Sequence, residues 1–276
     1  MILDGRRIKN EILDSVKEEV NNLSIKPSLV VIQVGLDEAS NVYIKQKEKM
    51  ALDVGYKFLH VKYGEEVTTS ELVKKIDELN NDDTVHGILV QMPLPSHIDE
   101  AVIQNAVRWD KDVDGLSSIN AGRLFHNEDA LFPCTPYGIL ELLDKYNIDI
   151  CGKHAVVVGR SNLVGKPMAM MLLNKGATVT MCHSKTKNLK EHTKMADILI
   201  VAVGKANFIT SDMVKEDSVI IDVGINRLED GICGDVDYDM VKDKVSYITP
   251  VPGGVGQMTV AMLSVNVLKA YQLQNK

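Results

Sequence analysis

The sequence predicts an α/β protein made of two α/β domains, each built on a parallel sheet. Three observations predict it. The runs 28–35 (SLVVIQVG) and 85–92 (VHGILVQM) are nearly all apolar, as strands covered on both faces are. Helical and strand patterns alternate between and after them, the order that winds a parallel sheet. The alternation restarts beyond residue 136, where a strand runs through a glycine-bearing turn into a helix.

Size and composition bound the rest. The 276 residues are 45% hydrophobic and 25% charged, an ordinary globular balance that suits one large or two modest domains. No apolar run is long enough to span a bilayer, and the opening MILDGRR has no apolar stretch behind its basic residues, so it does not read as a secretory signal. A formal charge of −7 argues against broad binding to nucleic acid or anionic membranes. Cys134, Cys151, Cys182 and Cys233 are scattered, without a CxxC pair or a His at metal spacing. They read as thiols of a reducing compartment, so a cytoplasmic protein without a metal site is expected.

In chain order, 4–23 reads as a helix, with Ile8, Ile12, Val16 and Val20 four apart. After the strand 28–35 comes the helix around which the chain is organised, 39–51 (ASNVYIKQKEKMA). Ser40 or Asn41 reads as its cap. Tyr43 and Lys47 lie one turn apart on one face, and Lys45 and Lys49 form a second pair turned away from it. A Tyr beside a Lys offers an aromatic wall, a phenol hydrogen bond and a movable proton; the plainer alternative is a solvated face with a snorkelling lysine. Residues 58–63 read as a strand, 68–79 as a helix, and 85–92 as a third strand stopped by Pro93 and Pro95. Ligands of such sheets sit at the carboxyl ends of strands, where Gln91 lies. Lys111-Asp112-Val113-Asp114-Gly115 reads as a charged turn. FPCTP at 132–136 reads as a stiff crossing between domains, with Thr135 capping a helix begun by Pro136.

In the second half the strand 154–158 (HAVVV) enters the turn 159–167 (GRSNLVGKP) and then a helix, 168–174. Strand, glycine turn and helix form the context of a dinucleotide site, where amide hydrogens and a helix N-terminus face a pyrophosphate. The pattern GxSxxxGxP departs from GxGxxG, and a tight structural turn is the alternative. The next strand, 177–182, is where cofactor preference should show. An NAD site places Asp or Glu at its end for the ribose diol, yet here it runs into His183-Ser184-Lys185-Thr186. A hydroxyl, a nearby Lys and the guanidinium of Arg160 suit a 2′-phosphate, so a Rossmann-like domain that binds NADP is predicted. Strands at 197–203 and 219–223 follow, closed by Gly204 and Gly224. The loop 249–256 (TPVPGGVG) is a shaped backbone segment that suits either a ligand or a structural turn. Gln257-Met258-Thr259 opens a last helix that runs to about residue 273.

Together these motifs resemble the bifunctional methylenetetrahydrofolate dehydrogenase/methenyltetrahydrofolate cyclohydrolase family over nearly the whole chain. The carriers are Ser40-Asn41-Val42-Tyr43 with Lys47, VQMPLP at 90–95, KDVDG at 111–115, PCTP at 133–136, the turn 158–167, CHSKT at 182–186 and the loop 249–256. The resemblance implies a folate domain, 1–136 plus 258–276, and an NADP domain, 137–257, with the substrate cleft between them. It implies Lys47 as the catalytic lysine, oriented by Gln91, with Tyr43 lining the pterin and aminobenzoate pocket and Asp114 holding the pterin ring. These four are the expected catalytic set. Pro252, Gly253 and Gly254 join Tyr43, Gln91 and Asp114 in binding the folate. The implied cofactor set is Gly159, Arg160, Ser161, Val164, Gly165, Pro167, Ser184, Thr135 and Ile225, with Arg160 and Ser184 gripping the 2′-phosphate. Tetrahydrofolate derivatives are the implied partners, and a homodimer through the second domain is the implied assembly.

The implied chemistry is oxidation of 5,10-methylenetetrahydrofolate by NADP, then hydrolysis of the methenyl cation to 10-formyltetrahydrofolate. The second step needs proton transfer, for which Lys47 is the candidate, its pKa lowered by the cation and by partial burial. Two departures from the family stand out: Gln257 where a Pro is common, at the first position of the last helix, and Trp109 near a second common Pro. Alternatives are a dehydrogenase that has lost the hydrolase step, a non-catalytic NADP-binding protein and a dehydrogenase for another small substrate.

Overall fold

The computed structural model describes residues 1–229 and 231–275, with Glu38 and Ala39 described by their backbone alone. Lys276, the end of the expected first-domain return, lies outside the described residues. The chain forms two compact units. One comprises Asn10–Cys134 and Val260–Lys276; the other comprises Met1–Lys9 and Thr135–Thr259. The first nine residues therefore group with the second half of the sequence. The reason is sheet pairing: Leu3 N donates to Ile248 O at 2.9 Å, and Ile248 N to Met1 O at 3.1 Å.

The elements of the first half are α1 (Gly5–Asn21), β1 (Ser28–Val34), α2 (Glu38–Val54), β2 (Lys57–Tyr63), α3 (Thr69–Asn80), β3 (Gly87–Val90), α4 (Glu100–Ala106) and α5 (Ser118–Phe125). The three strands form a parallel sheet in the order β2-β1-β3. Every residue of β1 and β3 is buried, which explains their unbroken apolar composition. One face of the sheet packs Val30, Ile32, Ile88 and Val90 against Leu72, Ile76 and Ile103 of α3 and α4. Sequence patterning missed α4 and α5, which are short; Asp99 and Ser117 cap them through side-chain bonds to backbone amides.

The second half contains α6 (Cys134–Lys145), β4 (His154–Val158), α7 (Gly165–Asn174), β5 (Thr178–Cys182), α8 (Leu189–Thr193), β6 (Ile198–Val201), a 3₁₀ turn (Ser211–Met213), β7 (Val219–Asp222), the hairpin β8 (Asn226–Leu228) and β9 (Gly231–Cys233), α9 (Tyr238–Val241), β10 (Tyr247–Ile248) and α10 (Val255–Gln274). Five parallel strands lie in the order β10-β7-β6-β4-β5. Counted within this unit the order is 2-1-3-4-5, a doubly wound arrangement whose direction reverses between β4 and β6. Its core joins Val156, Val158, Leu199, Val201 and Ile220 to Ile209, Val236 and Val241.

Several sequence expectations are corrected. The cap of α2 is Asp37, whose carboxylate accepts from Ser40 N at 2.7 Å; Ser40 and Asn41 lie inside the helix. Asn41 instead accepts from Gln33 Nε2 at 2.9 Å. The boundary between the two units falls inside 132–136, between Cys134 and Thr135, but the crossing is helical rather than a linker. Helix α6 already begins at Cys134, so Thr135 is not its cap and Pro136 sits in the first turn, where its missing N–H has no intrahelical role. Helix α7 starts at Gly165, three residues earlier than expected. Helix α10 starts at Val255, which makes Gln257 its third residue rather than its first. Gln257 N donates to Gly254 O at 3.1 Å, and its Oε1 accepts from Lys9 Nζ at 2.7 Å. Trp109 stacks under Arg123, whose guanidinium carbon is 4.1 Å from the ring centre.

Candidate active site

In the unit of β1–β3 the functional groups gather at the carboxyl end of β3. Gln91 follows that strand, and its N–H donates to Ile32 O at 2.8 Å, extending the β1–β3 ladder by one bond. The side chain is fixed at both ends of its amide. Its Nε2 donates to Met92 O at 2.7 Å, which turns Oε1 toward α2, where it accepts from Lys47 Nζ at 2.9 Å. Lys47 is half-buried on α2. Lys45 and Lys49, rotated off this face, are exposed, as the helical spacing predicts. Tyr43 lies one turn before Lys47 and remains 40% exposed.

Asp114 arrives from the segment 111–115, which runs along the free edge of β3. Ile88 pairs with Asp112 in parallel, and Ile88 N donates to Lys111 O at 2.7 Å. The chain turns directly after this single bridge, with Gly115 N donating to Asp112 O at 3.0 Å. The segment is not the solvated charged turn its composition suggests. Lys111 and Val113 have no exposed surface, and Asp112 has almost none. Lys111 Nζ donates to Leu79 O and Asp82 O, at 3.1 and 2.7 Å, closing the end of α3. Asp112 performs the turn chemistry: it accepts from Gly115 N, Ser117 N and Asn120 Nδ2, at 3.0, 2.8 and 2.9 Å. Asp114 lies close enough to Lys47 for their charges to interact.

The electrostatics follow from this enclosure. Burial pulls the Lys47 ammonium below the ordinary lysine value, opposed first by the Asp114 carboxylate and then by Cys134. Burial pushes the Asp114 carboxyl above its ordinary value, opposed by Lys47. Burial also pushes the Cys134 thiol well up, so it stays protonated and donates to Val113 O at 3.3 Å. Two members of this cluster escaped sequence reading. Cys134 stood inside a motif but was counted only as a thiol. Asn266 of α10 donates to Val113 O at 2.9 Å and Phe132 O at 2.8 Å, clipping together the two segments that carry Asp114 and Cys134. Its one sequence signal is a lone Asn within the apolar run SVNVL.

In the other unit the expected cofactor groups occupy the sheet's switch point. Gly159 follows β4, has φ +129°, and a Cβ there would stand 2.3 Å from Ala202 O, just past β6. A Cβ at Gly165 would stand 2.2 Å from Gly159 O, so both glycines are required by close backbone approach. Ser161 Oγ accepts from Val164 N at 3.1 Å and Gly165 N at 3.4 Å. Val164 itself offers no side-chain cap to α7, and Pro167 lies buried in that helix's first turn. Arg160, Ser161 and Asn162 are exposed. Val158 pairs with Cys182, and Gly159 N donates to Cys182 O at 2.9 Å. Arg160 and Ser184 therefore each stand two residues beyond a matched pair of strand ends. A close-packed glycine turn leading into a helix, and a cation and a hydroxyl at neighbouring strand ends, fit a phosphate-bearing dinucleotide.

The remaining expected residues of this unit are dispersed. Thr135 Oγ1 shares a hydrogen bond with Thr259 Oγ1 at 3.0 Å. Ile225 follows β7, is 48% exposed, and its Cδ1 lies 3.7 Å from where a Cβ at Gly256 would sit. In the loop 249–256, Pro252 follows a cis peptide bond and Gly253 has φ +115°. Gly254 is a packing requirement: a Cβ there would meet Pro250 O at 2.7 Å, and its own carbonyl leaves no room for a side chain at Gly5. Among the described residues, no group of three or more His, Cys, Asp or Glu is placed to hold a metal, all four cysteines are free thiols, and no helix is long and apolar enough to cross a membrane.

A two-unit α/β chain with a half-buried Lys–Gln pair in one unit and a close-packed glycine turn at the switch point of the other fits the class of nucleotide-dependent dehydrogenases. The chain belongs to the tetrahydrofolate dehydrogenase/cyclohydrolase family. The model of that family's catalytic domain matches residues 3–114, and that of its NAD(P)-binding domain matches residues 133–275. The chain is 52% identical over 273 residues to the bifunctional protein FolD of Bacillus subtilis, covering 98% of this chain and 96% of that one. It is 49% identical to the crystallised FolD methylenetetrahydrofolate dehydrogenase/cyclohydrolase of Campylobacter jejuni, with a TM-score of 0.98 over 99% of both chains. The Trypanosoma brucei dehydrogenase-cyclohydrolase, solved with NADP and an inhibitor, is 33% identical, with a TM-score of 0.95 over 100% of this chain and 98% of that one.

Proposed function

We propose that this chain oxidises 5,10-methylenetetrahydrofolate to 5,10-methenyltetrahydrofolate with NADP⁺ and then hydrolyses the product to 10-formyltetrahydrofolate. The observation that carries the reading is the bond of 2.9 Å from Lys47 Nζ to Gln91 Oε1 in a buried setting that also holds Asp114. NADP⁺ supplies the hydride acceptor when bound. The chain's own part in that step is to hold the reactants, which needs no acid or base.

In this reading, the turn 159–165 and the N-terminus of α7 receive the pyrophosphate, and Arg160 and Ser184 receive the 2′-phosphate. Thr135 and Ile225 complete the cofactor set, and Pro252, Gly253 and Gly254 the folate set. The domain roles follow: the unit of β1–β3 carries folate and the unit of β4–β7 carries NADP. Hydrolysis uses Lys47. Burial lowers its pKa and so favours the neutral amine, the form able to take a proton from the attacking water. Gln91 fixes the direction of that amine. Asp114, its pKa raised by burial and opposed by Lys47, hydrogen-bonds the pterin ring, against which Tyr43 packs. We also assign the protein to the cytoplasm as a homodimer through the second unit; exposed Leu228 and Ile232 on the hairpin β8–β9 support that assembly.

The test is an assay with 5,10-methylenetetrahydrofolate and NADP⁺, followed at the nicotinamide and methenyl bands before and after acid quench. NADPH without free methenyl, together with methenyl regenerated by acid from the 10-formyl product, is expected. NADPH with accumulating methenyl would leave a dehydrogenase alone, and no NADPH would overturn the reading.

A further inference from the structure

Two buried carboxylates of the second unit lie outside every role given above. Asp235 has no exposed surface. Its Oδ2 accepts from Val203 N and Gly204 N, at 2.7 and 2.9 Å, and its Oδ1 from Lys205 N and Asn226 Nδ2, at 2.8 and 2.9 Å. One carboxylate thus ties the loop leaving β6 to the start of the hairpin that follows β7. Asp222, at the end of β7, holds Asp235 in turn. Its Oδ1 accepts from Gly224 N at 3.0 Å and Asp235 N at 2.9 Å, and its Oδ2 from Val236 N at 2.9 Å. The fit is close: a Cβ at Gly224 would stand 2.1 Å from Asp235 Oδ1, and one at Gly234 would stand 1.8 Å from Asp222 Oδ2.

The loop that Asp235 holds is placed at the switch point. Ala202, the residue before it, is the one whose carbonyl lies 2.3 Å from where a Cβ at Gly159 would sit. The segment 203–205 therefore leaves the sheet directly beside the glycine turn, on the opposite side of the reversal in strand order. Gly204 has φ +67° and nothing within 4 Å of the position a Cβ would take, so this backbone borders open space. Three consecutive amides bonded to one carboxylate cannot move independently. Their ordering is then completed in folding rather than on ligand binding.

We infer that Asp235 is a positioning residue for the cofactor, holding the 203–205 backbone as a preformed second wall of the dinucleotide site. The inference rests on the reading that NADP⁺ binds at the turn after β4, and the experiment separates the two. Amide hydrogen exchange is followed on the full-length wild-type protein with and without NADP⁺. The amides of Val203, Gly204 and Lys205 should exchange slowly before NADP⁺ is added and more slowly after it, together with those of the 159–165 turn. Protection of the turn without any change at 203–205, or fast exchange there in the free protein, overturns the inference alone. Protection of neither segment overturns the reading on which it rests.

Two variants add a kinetic split. Asp235→Asn removes acceptor capacity, and Gly224→Ala pushes the same carboxylate from another segment. Each should raise KM for NADP⁺ about tenfold, the size expected for loss of a buried multidentate acceptor. KM for the folate should stay unchanged. A purely structural carboxylate would lower the active fraction and leave both KM values alone, and that result in either folded variant contradicts the inference.

Discussion

The two sheets begin with the same strand order, a first strand flanked by the second and third, and both place their candidate groups where that order reverses. What stands there differs. Beside β3 the candidate groups are half-buried side chains, Lys47, Gln91 and Asp114, and burial shifts the pKa of Lys47 and Asp114. Beside β4 they are mainly backbone, a glycine turn running into the start of α7, with exposed Arg160 and Ser184 at the rim. The contrast follows the chemistry proposed for each. Hydride transfer asks a protein for position, which fixed backbone supplies; hydrolysis of a methenyl cation asks for a proton acceptor, which only a tuned side chain supplies.

Separability is the sharpest consequence. Lys47→Met should lower hydrolysis of 5,10-methenyltetrahydrofolate by about 10³-fold, within the usual range for a lost acid–base group. Reduction of NADP⁺ should persist, with methenyl accumulating before acid quench. Gly159→Val makes the converse break, forcing a branched side chain onto Ala202 O at φ +129°. NADP⁺ binding, measured by titration calorimetry, should weaken by about a hundredfold, from strain of the order of 1–3 kcal/mol. Hydrolysis of preformed methenyl substrate should stay within a few-fold of wild type. If both variants lose both activities together, the division of labour is wrong.

A third test uses a carboxylate assigned to structure rather than chemistry. Burial pushes Asp222 up to about 6, against the three backbone amides that favour its charge. An unfolded Asp releases its proton near pH ~3.9. Between those values the native state binds more protons than the unfolded one, so stability falls as pH rises from about 4 to about 6 and is flat above. The loss attributable to Asp222 is up to about 3 kcal/mol. Chemical denaturation of wild type and Asp222→Asn across this window should show the difference between them changing in that sense, with the hydrolysis profile of the active enzyme unmoved. Ser184→Asp, placing a carboxylate where a 2′-phosphate is proposed, should shift the NADP⁺/NAD⁺ ratio of kcat/KM toward NAD⁺ by about tenfold, as expected for one repelled charge-assisted contact. The smallest effect is expected for Gln257→Pro, which loses the amide bond to Gly254 O and the side-chain bond to Lys9. Its cost should be about 1–2 kcal/mol by thermal unfolding, against the preset dihedral that Pro brings to a first turn.

Much of this was legible in the sequence because it depends on local patterns. Apolar runs marked β1, β3, β4, β6 and β7, and helical spacing put Tyr43 and Lys47 on one face. Ordered motifs marked Gln91, Asp114 and the glycine turn. What stayed hidden depends on partners distant in sequence. Lys111 reads as a surface charge until the end of α3, about thirty residues earlier, supplies carbonyls at 3.1 and 2.7 Å. Asp235 reads as a loop acid until Val203, Gly204 and Lys205 converge on it. Asn266 reads as an interruption of an apolar helix until two carbonyls more than a hundred residues away are found on its amide. The cap of α2 went to Asp37 rather than Ser40 because three acceptable capping residues stand within five positions, and propensity alone does not choose among them.

The central claim is that the Lys47 proton governs hydrolysis and that Asp114 opposes its loss. The measurement that tests it most directly is the pH dependence of kcat for hydrolysis of 5,10-methenyltetrahydrofolate by wild type and Asp114→Asn. Neutral Lys47 is the reactive form, so the rate should rise with pH along a limb set by its pKa. Burial lowers that pKa while the Asp114 carboxylate holds it up, and Cys134, buried and protonated, adds little charge at neutral pH. Removing the carboxylate should therefore move the limb to lower pH. A limb that stays in place, or moves to higher pH, would contradict the account.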